Sequence, residues 1–319
     1  MHVLTQENFD WAVQNGYRHI ASTRYSPVSA PIYPLESRFT NIPSDVLGSP
    51  NSEKFRLTNA VGHYNTLGSF LEGYGYDTEP EDSITWQELF DKAFEQLQFP
   101  DGGGITYNHP IVTDSAFEMF TEMLDYDPER VLGIEIYHLG SERDRWNGYY
   151  RDRYLPFWDR VLSTGRRCFG FGVVDWMTEP RKPWYGSNIL LVPAFTEHDC
   201  LKAYRNGQFY AIANDTGLRF TNLVGTDEQI TVEINRPANI RFVSERGIEQ
   251  ETISTEAIFT DIQDRTFVRV EVEEDSLDDS LLFSNPFMFK NKDDVINGGD
   301  SELERIRAKE RMRRLVLLR

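Results

Sequence analysis

The stretch Gly104-Ile105-Thr106-Tyr107-Asn108-His109-Pro110 decides how the chain is divided into elements. Its first residues read as a short buried strand, His109 falls just past the strand end, and Pro110 fixes the exit turn because its ring locks φ. Upstream, Thr85 and Glu88 form a capping box ahead of Leu89, Phe90, Ala93, Phe94 and Leu97, and Pro100 with Gly102-Gly103-Gly104 closes that helix. Downstream the beat repeats. A helix around Phe117, Phe120 and Leu124 leads to a strand from Val131 to Tyr137, then a long helix carrying Tyr150, Tyr154, Phe157 and Val161 leads to a strand from Cys168 to Val174. Nearer the start, Thr5 caps a helix with Phe9, Ala12 and Val13, which ends at Gly16 before a strand from Tyr17 to Ser22. Repeated strand–helix units with short apolar strands predict a parallel sheet or an α/β barrel, with chemistry at the C-terminal strand ends.

After a last helix, Thr196 to Asn206, the apolar period changes to alternation, as in Thr231-Val232-Glu233-Ile234 and Val268-Arg269-Val270-Glu271-Val272. This predicts a β-sandwich over residues 207–290, following an α/β unit over 1–206. The remainder, 291–319, reads as a linker through Asn297-Gly298-Gly299-Asp300. A helix follows, opened by Ser301 and Glu304, rich in arginine and ending in Leu315, Val316, Leu317 and Leu318. Four apolar residues at one end suit docking onto a protein partner, and with it an oligomer or larger assembly.

Lys and Arg number 33 against 51 Asp and Glu, a net charge of −18, which argues against a nucleic-acid binder. Only seven of the basic residues are lysine, and an acidic surface that favours arginine fits a protein adapted to high salt. No stretch approaches the roughly 18 apolar residues of a membrane span, and no signal sequence is read at the start. The expected location is the cytoplasm, or a particle assembled inside a cell. Cys168 and Cys200 lie in apolar-periodic segments without metal or disulfide spacing and read as core thiols.

Three strand ends carry metal-capable side chains: His109 after the strand quoted above, Asp175 after Phe171-Gly172-Val173-Val174, and His63 in Val61-Gly62-His63-Tyr64-Asn65. Glu135, in Gly133-Ile134-Glu135-Ile136-Tyr137, is a further acid inside a buried strand, either part of such a site or paired with an arginine. Imidazoles and carboxylates at strand ends suit zinc, manganese or iron centres that activate water. Gly102-Gly103-Gly104 is not a phosphate loop, since it precedes a strand and lacks the Lys-Ser/Thr ending.

The order of segments resembles the polymerase and histidinol phosphatase (PHP) family, in its members with a β-sandwich after the barrel. The likeness is carried by Ala12-Val13-Gln14-Asn15-Gly16-Tyr17, by His63-Tyr64-Asn65-Thr66-Leu67-Gly68-Ser69, by Asn108-His109-Pro110, and by the stretch from Gly165-Arg166-Arg167 to Asp175. Ala203-Tyr204-Arg205-Asn206-Gly207-Gln208-Phe209-Tyr210-Ala211 and Ser284-Asn285-Pro286-Phe287 complete it. The resemblance implies a distorted (β/α) barrel with a small β-sandwich and a C-terminal helix, and metal-ligand roles for His63, His109 and Asp175. It also implies departures. The family's first strand with its His-x-His pair is not complete here, leaving at most His2. The family's Thr-Asp-His is Thr23-Arg24-Tyr25, and its Asp-x-His is Asp175-Trp176-Met177. Arg24 cannot ligate a metal and suits an anion instead, and the Met177 thioether is too soft for hard or borderline ions.

Fewer than half the family's ligands remain, so the cofactor expected is none or a single divalent ion, zinc, manganese or iron. The function expected is a pseudoenzyme: a non-catalytic structural or assembly component, as in a virion of a salt-loving host's virus, docking through its terminal helix. The alternative is a metal-dependent phosphoesterase with a reduced centre.

Overall fold

The computed structural model describes residues 12, 14, 16–22, 47–50, 62–71, 84–138, 150–173, 186–274 and 281–297. Two short strands, β1 (His19–Ser22) and β2 (Leu47–Pro50), pair in parallel. Then come β3 (His63–Leu67), helix α1 (Trp86–Glu95), β4 (Gly104–Asn108), α2 (Asp114–Tyr126) and β5 (Val131–His138). A π-helical turn, Tyr150–Tyr154, runs into α3 (Leu155–Leu162), followed by β6 (Phe169–Val173), β7 (Gly186–Leu190) and α4 (Glu197–Asn206). The capping box of Thr85 and Glu88 closes on the first turn of α1, and Thr113 and Thr196 cap α2 and α4. Gly207 ends α4 in the left-handed conformation, at φ 68°, that glycine adopts without a Cβ penalty. The helix expected through Tyr150 and Val161 is present as one run, its first turn π-helical and the rest α.

Strands β3-β4-β5-β6 form one sheet. The neighbours β4, β5 and β6 are parallel, as the strand–helix beat requires, but β3 runs antiparallel to β4. Side-chain alternation gives this sheet two apolar faces. Ile105, Tyr107, Ile134 and Ile136 pack with Phe90, Phe120 and Trp158 of the helices; Leu67, Leu132, Phe169 and Phe171 pack with Leu201 and Tyr204 of α4. A fully buried Leu or Phe contributes about 1.5–3 kcal/mol, so this double covering fixes the strand register.

The rest of the chain is β8 (Phe209–Ala213), β9 (Phe220–Gly225), β10 (Ile230–Ser244), β11 (Gly247–Phe259), β12 (Phe267–Glu273), β13 (Leu281–Ser284), β14 (Phe287–Met288) and the short α5 (Lys292–Asn297). The alternating strands expected to form a sandwich belong to one hydrogen-bonded sheet of eight, which β7 joins through β8. Its curl comes from β10, whose first half pairs with β9 and second half with β12, across a register shift between Glu233 and Ala238 that spans Pro237. β11 follows the bend so closely that Gln250 Nε2 donates to the carbonyl of Ile258, 3.2 Å away. The fold is therefore mixed α/β and strand-rich, a half-barrel of curled sheet.

Side chains join the two sheets. Asn188 of β7 accepts from the N–H of Gly172 and donates to its carbonyl, both at 3.0 Å. Asn285 accepts from Gly170 N and donates to the carbonyls of Gly207 and Phe209. Beneath them Arg269 of β12 forks onto both oxygens of Asp159 in α3, at 2.7 and 2.9 Å, and also donates to Glu271. Burial raises the Asp159 carboxyl above its usual range despite the neighbouring guanidinium. For Arg269, burial acts downward but Asp159 and Glu271 together outweigh it and hold the cation above its usual range.

The glycine run has a structural cause. Gly103 has φ 69°, and a Cβ there would lie 2.2 Å from the carbonyl oxygen of Leu67. The buried Arg205 donates to the carbonyls of Gly103, Pro100 and Gly102. Both cysteines are buried; desolvation pushes the Cys168 thiol far up and that of Cys200 up to about 12. No helix among the described residues is long and apolar enough to cross a membrane. The terminal segment from 298, with its arginine-rich stretch, lies outside the described residues.

Candidate functional site

One end of the four-stranded sheet gathers its polar residues. Because β3 is antiparallel to β4, its first residue, His63, sits opposite Asn108, the last of β4. His109 follows directly, so two histidines 46 positions apart in sequence meet, with His63 Nδ1 and His109 Nε2 separated by 3.0 Å. Their rings meet edge to face at 4.6 Å. The assignment of donor and acceptor depends on the tautomers.

His109 has φ 27°, a positive value uncommon for a residue with a Cβ and worth on the order of 1–3 kcal/mol of strain. The turn that imposes it is held at two points. Glu135 Oε2 accepts from His109 N at 2.6 Å, and the phenol oxygen of Tyr107 accepts from Ile111 N at 3.0 Å. Pro110, between them, has no N–H to place. Tyr107 is itself fixed by stacking on Tyr64, with ring centroids 5.0 Å apart, and by Gly62, where a Cβ would lie 2.6 Å from the ring. Burial raises both phenols above their usual range, so they stay neutral.

The inward face continues with Asn65, Thr106 and Asn108. Thr106 Oγ1 donates to Asn108 Oδ1 at 3.4 Å, and both residues are buried. Asn65 Oδ1 is buried and, among the described residues, accepts no hydrogen bond. The polar end thus sits above the apolar floor of Leu67, Leu132, Phe169 and Phe171.

Of the residues singled out from sequence, the fold brings His63 and His109 together, while Asp175 and Arg24 lie outside the described residues, as do His2 and Met177. Glu135 is 5% exposed and bonds the backbone of His109. Sequence reading missed His138, the last residue of β5, which occupies the strand-end position that made His109 a candidate. It also missed His19, whose Nε2 lies 3.3 Å from Glu197 Oε1 and ties β1 to α4.

Two nitrogens 3.0 Å apart can share a proton or a cation. At the usual 2.0–2.1 Å zinc–nitrogen distance, one ion between them would subtend about 95°, between octahedral and tetrahedral values. Among the described residues no three His, Cys, Asp or Glu side chains gather as a metal-holding group. Comparison with protein-family models, with curated proteins and with solved structures finds no match for this chain.

Proposed function

We propose that the chain is a PHP-like protein with its metal centre reduced to one divalent ion, held by His63 and His109, and that it hydrolyses phosphoesters at that ion. The observation that carries the reading is the 3.0 Å approach of the two imidazole nitrogens at the polar end of the sheet. Zinc, manganese and iron all accept imidazole, and catalytic zinc commonly takes three protein ligands. The third donor would come from Asp175, two residues beyond the described end of β6. The ion would supply Lewis acidity, polarising a phosphate oxygen and lowering the pKa of water beside it. The chain's part is to hold the two imidazoles on strand ends and to place the buried amides of Asn65 and Asn108 on the same face.

A second reading, a PHP-like scaffold that docks through residues 301–319 as part of an assembly, is favoured by a different observation. His63 Nδ1 and His109 Nε2 already engage each other, and Glu135 engages the backbone of His109. Elemental analysis of chain purified without chelator in high salt separates the two. Near-stoichiometric metal that falls in His63→Ala and His109→Ala, with turnover of an aryl phosphate or phosphodiester, supports the first. No metal in any sample leaves the scaffold.

A further inference from the structure

We infer that Glu135 is the positioning residue of the His63–His109 pair, acting through the backbone of His109 and not as a ligand; this rests on reading the pair as an ion site. The turn His109-Pro110-Ile111 presents two backbone donors, and side chains from the strands take both. Tyr107 grips the far side of the proline. Glu135 grips the backbone of His109, the residue that lies at positive φ and whose ring meets His63.

A carboxylate in the interior of β5, between the fully buried Ile134 and Ile136, is costly to desolvate unless strongly hydrogen-bonded. The 2.6 Å contact with a backbone N–H is such a bond. Outer groups that orient metal-binding histidines elsewhere act on the ring; here the same end is reached by fixing the main chain from which the ring projects.

The test uses the full chain and three variants. Glu135→Gln keeps shape and an acceptor oxygen, Glu135→Leu removes the acceptor, and Tyr107→Phe loosens the other side of the turn. In the metal-free protein, 15N-detected NMR of the imidazoles reads the His63–His109 bond as a ring N–H protected from exchange. Its exchange should rise about fivefold in Glu135→Gln, the difference between a charged and a neutral hydrogen bond. The signal should vanish in Glu135→Leu and persist in Tyr107→Phe. Zinc titration should show affinity about 10–100-fold weaker in Glu135→Leu.

Unchanged exchange in Glu135→Gln overturns the inference, even if Glu135→Leu fails to fold. Equal loss of the signal in Tyr107→Phe overturns it too, because the turn as a whole would then be responsible. A wild-type chain with the protected ring N–H but no zinc uptake would sink the ion reading while the positioning role stands.

Discussion

The strand-end cluster and the Arg269 cluster at the seam are both buried and polar, yet they are built on opposite rules. At the seam a cation is met by two carboxylates, forked onto one of them, from regular helix and strand backbone. At the strand ends nitrogen meets nitrogen, and the carboxylate nearby is engaged by a main-chain N–H in a turn at positive φ. The first arrangement is complete in itself and serves stability. The second carries a positive φ at His109 and two imidazole nitrogens in contact, and it is where the ion is proposed.

The comparison breaks most readily at the seam. Arg269→Leu leaves Asp159 and Glu271 without their cation and should cost about 3–5 kcal/mol in urea unfolding. A loss below about 1 kcal/mol would remove the seam cluster's claim to a structural role. Next in size is Asn285→Ala, which strips the N–H of Gly170 of its acceptor and two carbonyls of a donor; about 1–3 kcal/mol is expected by the same measurement.

His63→Ala sharpens the contrast from the other side. Its ring is only partly buried, so stability should change by less than about 1 kcal/mol, while metal uptake measured by elemental analysis should disappear. A large loss of stability here would make the strand-end cluster another structural one. The smallest effect is expected at the surface. Hydrogen bonds from His198 and Lys202 hold the Asp101 carboxyl at about 2. A carboxylate so depressed adds stability above its unfolded pKa of about 4, which is lost as pH falls through about 2. Asp101 is solvent-screened, so Asp101→Asn should cost under about 1 kcal/mol at neutral pH, and the difference should fade in acid-unfolding curves toward pH 2.

What the sequence disclosed follows the range of the forces involved. Caps are local: Thr85 with Glu88 is legible because a side chain answers an N–H three residues away. The strands around Ile105 and Val131 are legible because both faces are buried and read as apolar runs. The direction of β3 is not local. It depends on how the chain between 68 and 103 returns, so His63 reads as an isolated residue until β4 is laid beside it. The eight-stranded sheet was foreseen as alternation, but not as one sheet, because the bend in β10 rests on pairings with β9 and β12 that composition does not encode. Of the site, His63 and His109 were legible as types at strand ends. The role of Glu135 was not, since its partner is a backbone atom 26 positions away. His138 follows the same strand-end pattern as His109 and was open to the same reading.

Asn188 gives the seam a property beyond adhesion. Its amide presents to Gly172 the donor and acceptor that a neighbouring peptide group would, so β6 gains one rung of a ladder from a side chain. A stray strand from another molecule would need those same two atoms of Gly172 and finds them taken. The flank that β6 leaves unpaired in its own sheet is lined by β7, whose backbone at Ser187 and Gly186 lies against Gly172 and Val173, and the Asn188 amide adds the hydrogen bonds of a ladder there.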